Sequence, residues 1–361
     1  MKSVTASLAL ELKDLRALDI IKNYPDINIY SQTHVLIGQS WILDRTQSVQ
    51  LPFCSTVLPE HQLPDFTTIA EYSLSDLCIR RAAELISTNR QLYFFWSGGI
   101  DSTLGLVSFL KLGIPLDQIT VVCNNDSIRE NLKFYQDHIR GKFKLISSEL
   151  MMQKMKTTQV DGIIVSSEHG DLMYGQDFGH TMFEMFGTSY LREKPTRETI
   201  TKFFRQGKMS DQAANCWYDL YMESAKQSPR PIDTTYDFSW WAGFNWRWQW
   251  AKEKIKIRTA IDLDIRTFFS TYEFQKWSVN HMQSDMTTKR DIKIEFKNII
   301  LDYTQDQGYF DTKIKHPSVT MYYGGNSFVA IDGNGSKIKA DNFTILDYYQ
   351  KDNFISNWLK S

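Results

Sequence analysis

The chain has 361 residues, 42% of them hydrophobic and 23% charged, which is enough apolar material for one large domain or two ordinary ones. Its 41 Lys and Arg nearly balance its 42 Asp and Glu, so broad electrostatic capture of nucleic acid or of an anionic membrane is not expected. No stretch approaches the roughly 20 apolar residues of a membrane-spanning helix, and residues 1–10 lack the charged and apolar regions of a signal peptide. The four cysteines, Cys54, Cys78, Cys123 and Cys216, are far apart with no C-x-x-C pair, which points to reduced, buried thiols rather than a zinc ribbon or redox dithiol. A soluble, cytoplasmic, globular protein is the expectation.

Residues 1–70 are weakly patterned, with short strands expected at 27–30 and 34–37 and a Pro-containing linker at 51–64. Helical spacing of Leu77, Ile79, Ala82, Ala83, Leu85 and Ile86 predicts a helix over 73–87 behind a serine cap. The continuous apolar run 92–96 predicts a strand buried on both faces of a parallel sheet. A helix over 102–112, stopped by Gly113 and Pro115, follows it. Strands at 119–123, 143–146 and 163–165, with a helix at 128–139, complete a βαβ pattern. The fold class expected is α/β, a doubly wound parallel sheet with a helical C-terminal part.

Beyond residue 183 the chain becomes helical and aromatic. Trp240, Trp241, Trp246, Trp248 and Trp250 crowd into eleven residues, as core packing, an interdomain seam or an aromatic wall for a ligand. Near the C-terminus, 320–323 and 328–331 flank Gly324-Gly325-Asn326, a hairpin pattern.

The chemistry concentrates at two strand ends. After the first strand, Ser97-Gly98-Gly99-Ile100-Asp101-Ser102-Thr103 leads into a helix. Two glycines let backbone amides approach an oxyanion, the helix N-terminus adds partial positive charge, and Ser97, Ser102 and Thr103 offer hydroxyls. Asp101 would repel a phosphate by itself, so its natural role is to hold Mg2+ against phosphate oxygens. The loop is too short for a Walker loop and has no Lys before the Ser/Thr. The strand over 163–165 runs into Ser166-Ser167-Glu168-His169-Gly170-Asp171-Leu172-Met173-Tyr174-Gly175, which brings a second carboxylate, Asp171, to the same sheet edge, where ligands bind in open α/β folds.

The first loop resembles the SGGxDS signature of the PP-loop, or N-type ATP pyrophosphatase, superfamily. The second segment is similar to the SGEGxDELFGG signature of the asparagine synthetase synthetase domain: Ser166, Glu168, Asp171 and Gly175 match, while Ser167, His169 and Leu172 depart from it. Residues 263–269 resemble that family's LEVRVPF, with Phe268 for Pro, and Lys289-Arg290-Asp291-Ile292-Lys293 resembles its KxxLR helix, with Lys293 for Arg. The resemblance covers about residues 72–305 and implies a three-part chain. Residues 1–70 form an N-terminal region that is not a glutaminase domain, 71–310 an ATP-binding synthetase domain, and 311–361 an extension carrying the hairpin.

That resemblance implies an ATP- and Mg2+-dependent ligase. It would adenylate a carboxylate with release of pyrophosphate and pass it to ammonia or an amine. Ser97, Gly98, Gly99, Asp101, Ser102, Thr103, Ser166, Ser167 and Lys293 would bind ATP and pyrophosphate, and Asp101 and Asp171 would hold the metal. Trp96, Val122 and Cys123 would line the adenine pocket. Glu168 would orient or deprotonate the nucleophile, and Lys289, on one helix with Lys293, would stabilise charge on the reacting phosphorus. Other readings of the same loop are a PP-loop enzyme that modifies tRNA or a nucleobase and a non-catalytic nucleotide-binding protein. The expected partners are small molecules, with a homo-oligomer left open.

Overall fold

The computed structural model describes residues 44–49, 57–67, 72–157, 160–206, 211–257, 263–281, 291–314, 330–331 and 337–338. The strands expected at 27–30 and 34–37 lie outside them. In chain order the described elements begin with α1 (Leu74–Ser87), β1 (Leu92–Phe95), α2 (Ile100–Lys111), β2 (Ile119–Cys123) and α3 (Asn125–Glu130). They continue with β3 (Lys144–Ser147), α4 (Ser148–Lys156), β4 (Ile163–Ser166) and α5 (Gly170–Met173). Next come α6 (Gln176–Arg192), α7 (Arg197–Gln206), α8 (Asp211–Ala225), α9 (Thr235–Trp241) and α10 (Trp248–Ile257). β5 (Asp264–Thr267), α11 (Tyr272–His281), α12 (Ile294–Thr304), α13 (Gln307–Thr312), β6 (Ala330–Ile331) and β7 (Lys337–Ile338) follow.

Two compact units emerge, and they do not follow the linear division expected at 70 and 310. One holds residues 64–174 and 254–316, and the other holds the described residues before Pro64, residues 175–253 and the β6–β7 pair. The reason is the connection from β4 to β5, which carries the helical part of the second unit, residues 175–253.

The first unit is an α/β structure around five strands in the order β3-β2-β1-β4-β5, every neighbouring pair parallel. Both sheet faces are covered, as the alternation along β1 demands. Phe94 packs edge-on against Phe109 of α2 and Phe268, 5.8 and 6.5 Å between centroids. Tyr93 and Phe95 point the other way, into a cluster of Val122, Met151, Met155, Ile164 and Ile265 that includes α4. α1 and α12 pack on α2. Ser73 caps α1 through the Asp76 amide, as its position implied.

One predicted helix is broken. The 128–139 segment starts earlier, where Asn124 and Ser127 form a reciprocal cap, and stops at Asn131, whose backbone leaves the helical region (φ −147, ψ 68). The Asn131 side chain then accepts from the Phe134 amide at 3.2 Å and starts a new turn, which passes into a π-helical turn over Tyr135–Ile139.

The second unit packs the aromatic segment as core. Trp240, Trp241, Trp246 and Trp248 are at most 1% exposed, so packing accounts for them; the Trp250 side chain lies outside the described residues. The buried Ser224 hydroxyl accepts both the Trp241 and Trp246 indole N–H groups, at 3.0 and 2.8 Å. Arg45 lies over the rings of Phe244 and Trp248 and donates to the carbonyls of His61, Gln62 and Phe244. Ala330–Ile331 pairs antiparallel with Lys337–Ile338, and the hairpin expected around 324–326 lies outside the described residues. No helix among the described residues is long and apolar enough to cross a membrane.

Candidate active site at the strand-order reversal

In the order 3-2-1-4-5 the direction of winding changes between β1 and β4, and in open α/β sheets this is where the crevice opens at the carboxyl ends of the strands. Both sequence motifs leave from these two strands. The first runs from Trp96 through Ser97 and Gly98 to Gly99, the N-cap of α2, which makes no side-chain cap. The first-turn amides of α2 therefore rely on partners outside the helix, the arrangement that suits an anion.

The loop is held by its own hydroxyls. Ser102 Oγ lies 3.0 Å from Ser97 Oγ, accepts the Ser97 amide at 3.1 Å and reaches the Gly99 carbonyl at 3.2 Å. The Ser97 hydroxyl accepts the Gly99 amide at 3.3 Å. Gly98 adopts φ +77, and a Cβ there would come 2.4 Å from the Ser127 carbonyl oxygen and 2.8 Å from Glu130 Cβ of α3. Only glycine fits this backbone and this contact. The hydroxyls of serines 97 and 102 thus hold the loop's shape.

The second motif leaves β4 at Ser166. The Ser166 and Ser167 hydroxyls are buried and have no hydrogen-bond partner among the described residues, a state that is uncommon and marks candidate ligand donors. Glu168 is exposed on the turn before α5. Gly170, which the resemblance treats as a variable position, sits directly against Asp101: a Cβ there would lie 2.6 Å from the Asp101 Cγ. This close approach brings the two motifs together, and the residue type carries no chemistry that would single it out.

The convergence point is Lys293. Its ammonium bonds both Asp101 and Asp171, with its side chain 1% exposed and the two carboxylates 18% and 14%. Burial works against the charged ammonium, and the Asp101 and Asp171 charges overcome it, holding Lys293 above the ordinary lysine range. The aromatic packing of α12 sets this position. Phe296 stacks on Phe269 at 5.0 Å and meets Tyr174 edge-on at 5.1 Å, while Lys111 of α2 pairs with Asp302 at 2.7 Å.

Several sequence expectations change here. Lys293 is the N-cap of α12 in the left-handed region (φ 55, ψ 40), and Lys289 lies outside the described residues. Trp96 is 1% exposed, stacks on Phe134 and Tyr135, and donates to the Thr103 hydroxyl at 3.2 Å. Val122 is a member of the α4-side core cluster, and its carbonyl accepts the Trp96 amide. Both are spent on packing, whereas Cys123 ends β2 as a buried thiol that burial pushes up. Tyr309 of α13 went unnoticed in the sequence. Burial, and the Asp101 and Glu130 charges, push its phenol up against the effect of the neighbouring Thr103 hydroxyl.

Among the described residues no three or more His, Cys, Asp or Glu gather as metal ligands. Two carboxylates alone fit Mg2+ in the manner of phosphate-borne magnesium, which commonly takes one or two carboxylates and completes its shell with substrate oxygens and water. A scan of the sequence against protein-family models and a search of curated proteins each return no match.

Proposed function

We propose that the chain is a PP-loop-type nucleotide-dependent ligase that cleaves ATP between the α- and β-phosphates. What carries this reading is the meeting of the SGGIDS loop after β1 with a second carboxylate after β4 at the sheet's topological switch point. The loop amides and the α2 N-terminus would receive the β- and γ-phosphates. Asp101 and Asp171 would hold Mg2+, which when bound supplies neutralising charge to the pyrophosphate. A substrate carboxylate oxygen would attack the α-phosphorus, the bond to the bridging oxygen would break, and pyrophosphate would leave. Ammonia or an amine would then displace AMP from the acyl carbon, with Glu168 orienting it or taking its proton. Lys293, and Lys289 by resemblance, are the cations available to stabilise developing charge.

The test is product identity. Incubation with ATP, Mg2+ and a pool of small carboxylates and amines should yield AMP and pyrophosphate with a new C–N adduct by mass spectrometry. ADP and orthophosphate as the stoichiometric products would exclude the reading.

A further inference from the structure

Asp101 and Asp171 come from two different strand ends, yet one ammonium contacts both. Lys293 is an anchored cation. Ile292 and Phe296 on either side of it are buried, the Lys297 amide donates to the Lys293 carbonyl at 3.1 Å, and the ammonium lies 5.6 Å from the Phe296 ring centroid. Such a charge cancels one of the two carboxylate charges before any ligand arrives. A hydrated divalent cation arriving alone meets a pair whose charge is already partly neutralised, with an ammonium in contact with both prospective ligands.

We infer that Lys293 is the built-in counter-cation of the Asp101–Asp171 pair and withholds it from free divalent cations, so that such a cation enters only together with a phosphate ligand. A phosphate changes the balance because it brings oxygen ligands for the metal and a new anionic partner for the ammonium. Magnesium held by one or two carboxylates with substrate phosphates is the ordinary outcome of that balance. The inference rests on the reading that the pair serves a nucleotide-borne metal, and its test needs no turnover.

The experiment is calorimetric titration of the full chain with MnCl2 in the absence of nucleotide. The wild type should show no saturable binding below about 1 mM, the range of weak oxygen-ligand sites. Lys293→Met removes the compensating charge and should bind Mn2+ at least about tenfold more tightly, a gain that Asp171→Asn in the same chain abolishes. Micromolar Mn2+ binding by the wild type that is lost in Asp171→Asn overturns the inference. So does a Lys293→Met protein, folded by circular dichroism, that binds Mn2+ no more tightly than the wild type. If the Met variant does not fold, Lys293→Gln carries the same comparison. Adding inorganic pyrophosphate separates the two readings: failure of the wild type to bind Mn2+–pyrophosphate overturns the nucleotide site and the joint entry of cation and phosphate, while the comparison with free Mn2+ alone decides whether Lys293 withholds the pair.

Discussion

Gly170→Ala perturbs the meeting of the two motifs while leaving every charge in place. An added methyl group would stand 2.6 Å from Asp101 Cγ, 2.8 Å from Oδ1 and 3.0 Å from Oδ2, so the whole carboxylate faces the Gly170 Cα. Asp101 is short and is held by Lys293, which limits its retreat. Overpacking of this kind costs about 1–3 kcal/mol. Against it stands the gain of alanine over glycine, up to about 1 kcal/mol in a helix interior and less at the first position of α5, so the net change should be a loss of about 0–3 kcal/mol in urea denaturation. The decisive arm is the same substitution in an Asp101→Ala background, where the carboxylate is gone and alanine at 170 should be neutral or stabilising. The coupling between the two positions should then be about 1–3 kcal/mol. Additivity within about 0.5 kcal/mol, the behaviour of independent sites, would show that Gly170 does not set the place of Asp101.

Two more predictions concern other parts of the chain. Glu295 accepts the Tyr174 hydroxyl at 2.8 Å, and burial pushes its carboxyl up, against the Tyr174 bond and the His281 charge. The folded state therefore holds that proton more tightly than the unfolded chain, so the stability it contributes is present below the ordinary Glu range and is lost as pH rises through the raised value. Relative to wild type, Glu295→Gln should gain stability across that window, and a difference in Tm that does not change with pH refutes this. Ser224→Ala strands two buried indole N–H groups, each worth about 1–3 kcal/mol when left unpaired. A loss of about 2–6 kcal/mol in urea denaturation is expected, and a loss under about 0.5 kcal/mol would show that the two indoles find other acceptors.

The sequence by itself determined much of the first unit. Its three central strands, β1, β2 and β4, are short apolar runs, and such runs read as buried parallel strands because both faces must be covered; the outer strands β3 and β5 mix polar and apolar residues. Helix starts were legible where a serine caps the first turn, as at Ser73. The 97–103 loop was legible as an anion site because glycines, hydroxyls and a helix start in one short segment are a local chemical statement. The same locality explains why the broken 128–139 helix was not: hydrophobic spacing continues through Asn131, and only its backbone angles reveal the interruption.

What required tertiary structure was everything that depends on distant residues meeting. Gly170 has meaning only because Asp101 lies against it. Lys293 is one cation among several in a linear pattern, and the stacking of Phe296 on Phe269 helps carry it to the two carboxylates. Trp96 and Val122 look like pocket residues when only their strand ends are known, until the aromatic stack and the core cluster claim them. The division into units was hidden for the same reason, since a helical unit within the β4–β5 connection leaves no mark in composition. Local chemistry is written in adjacent residues, whereas burial and pairing belong to residues that the fold alone makes neighbours.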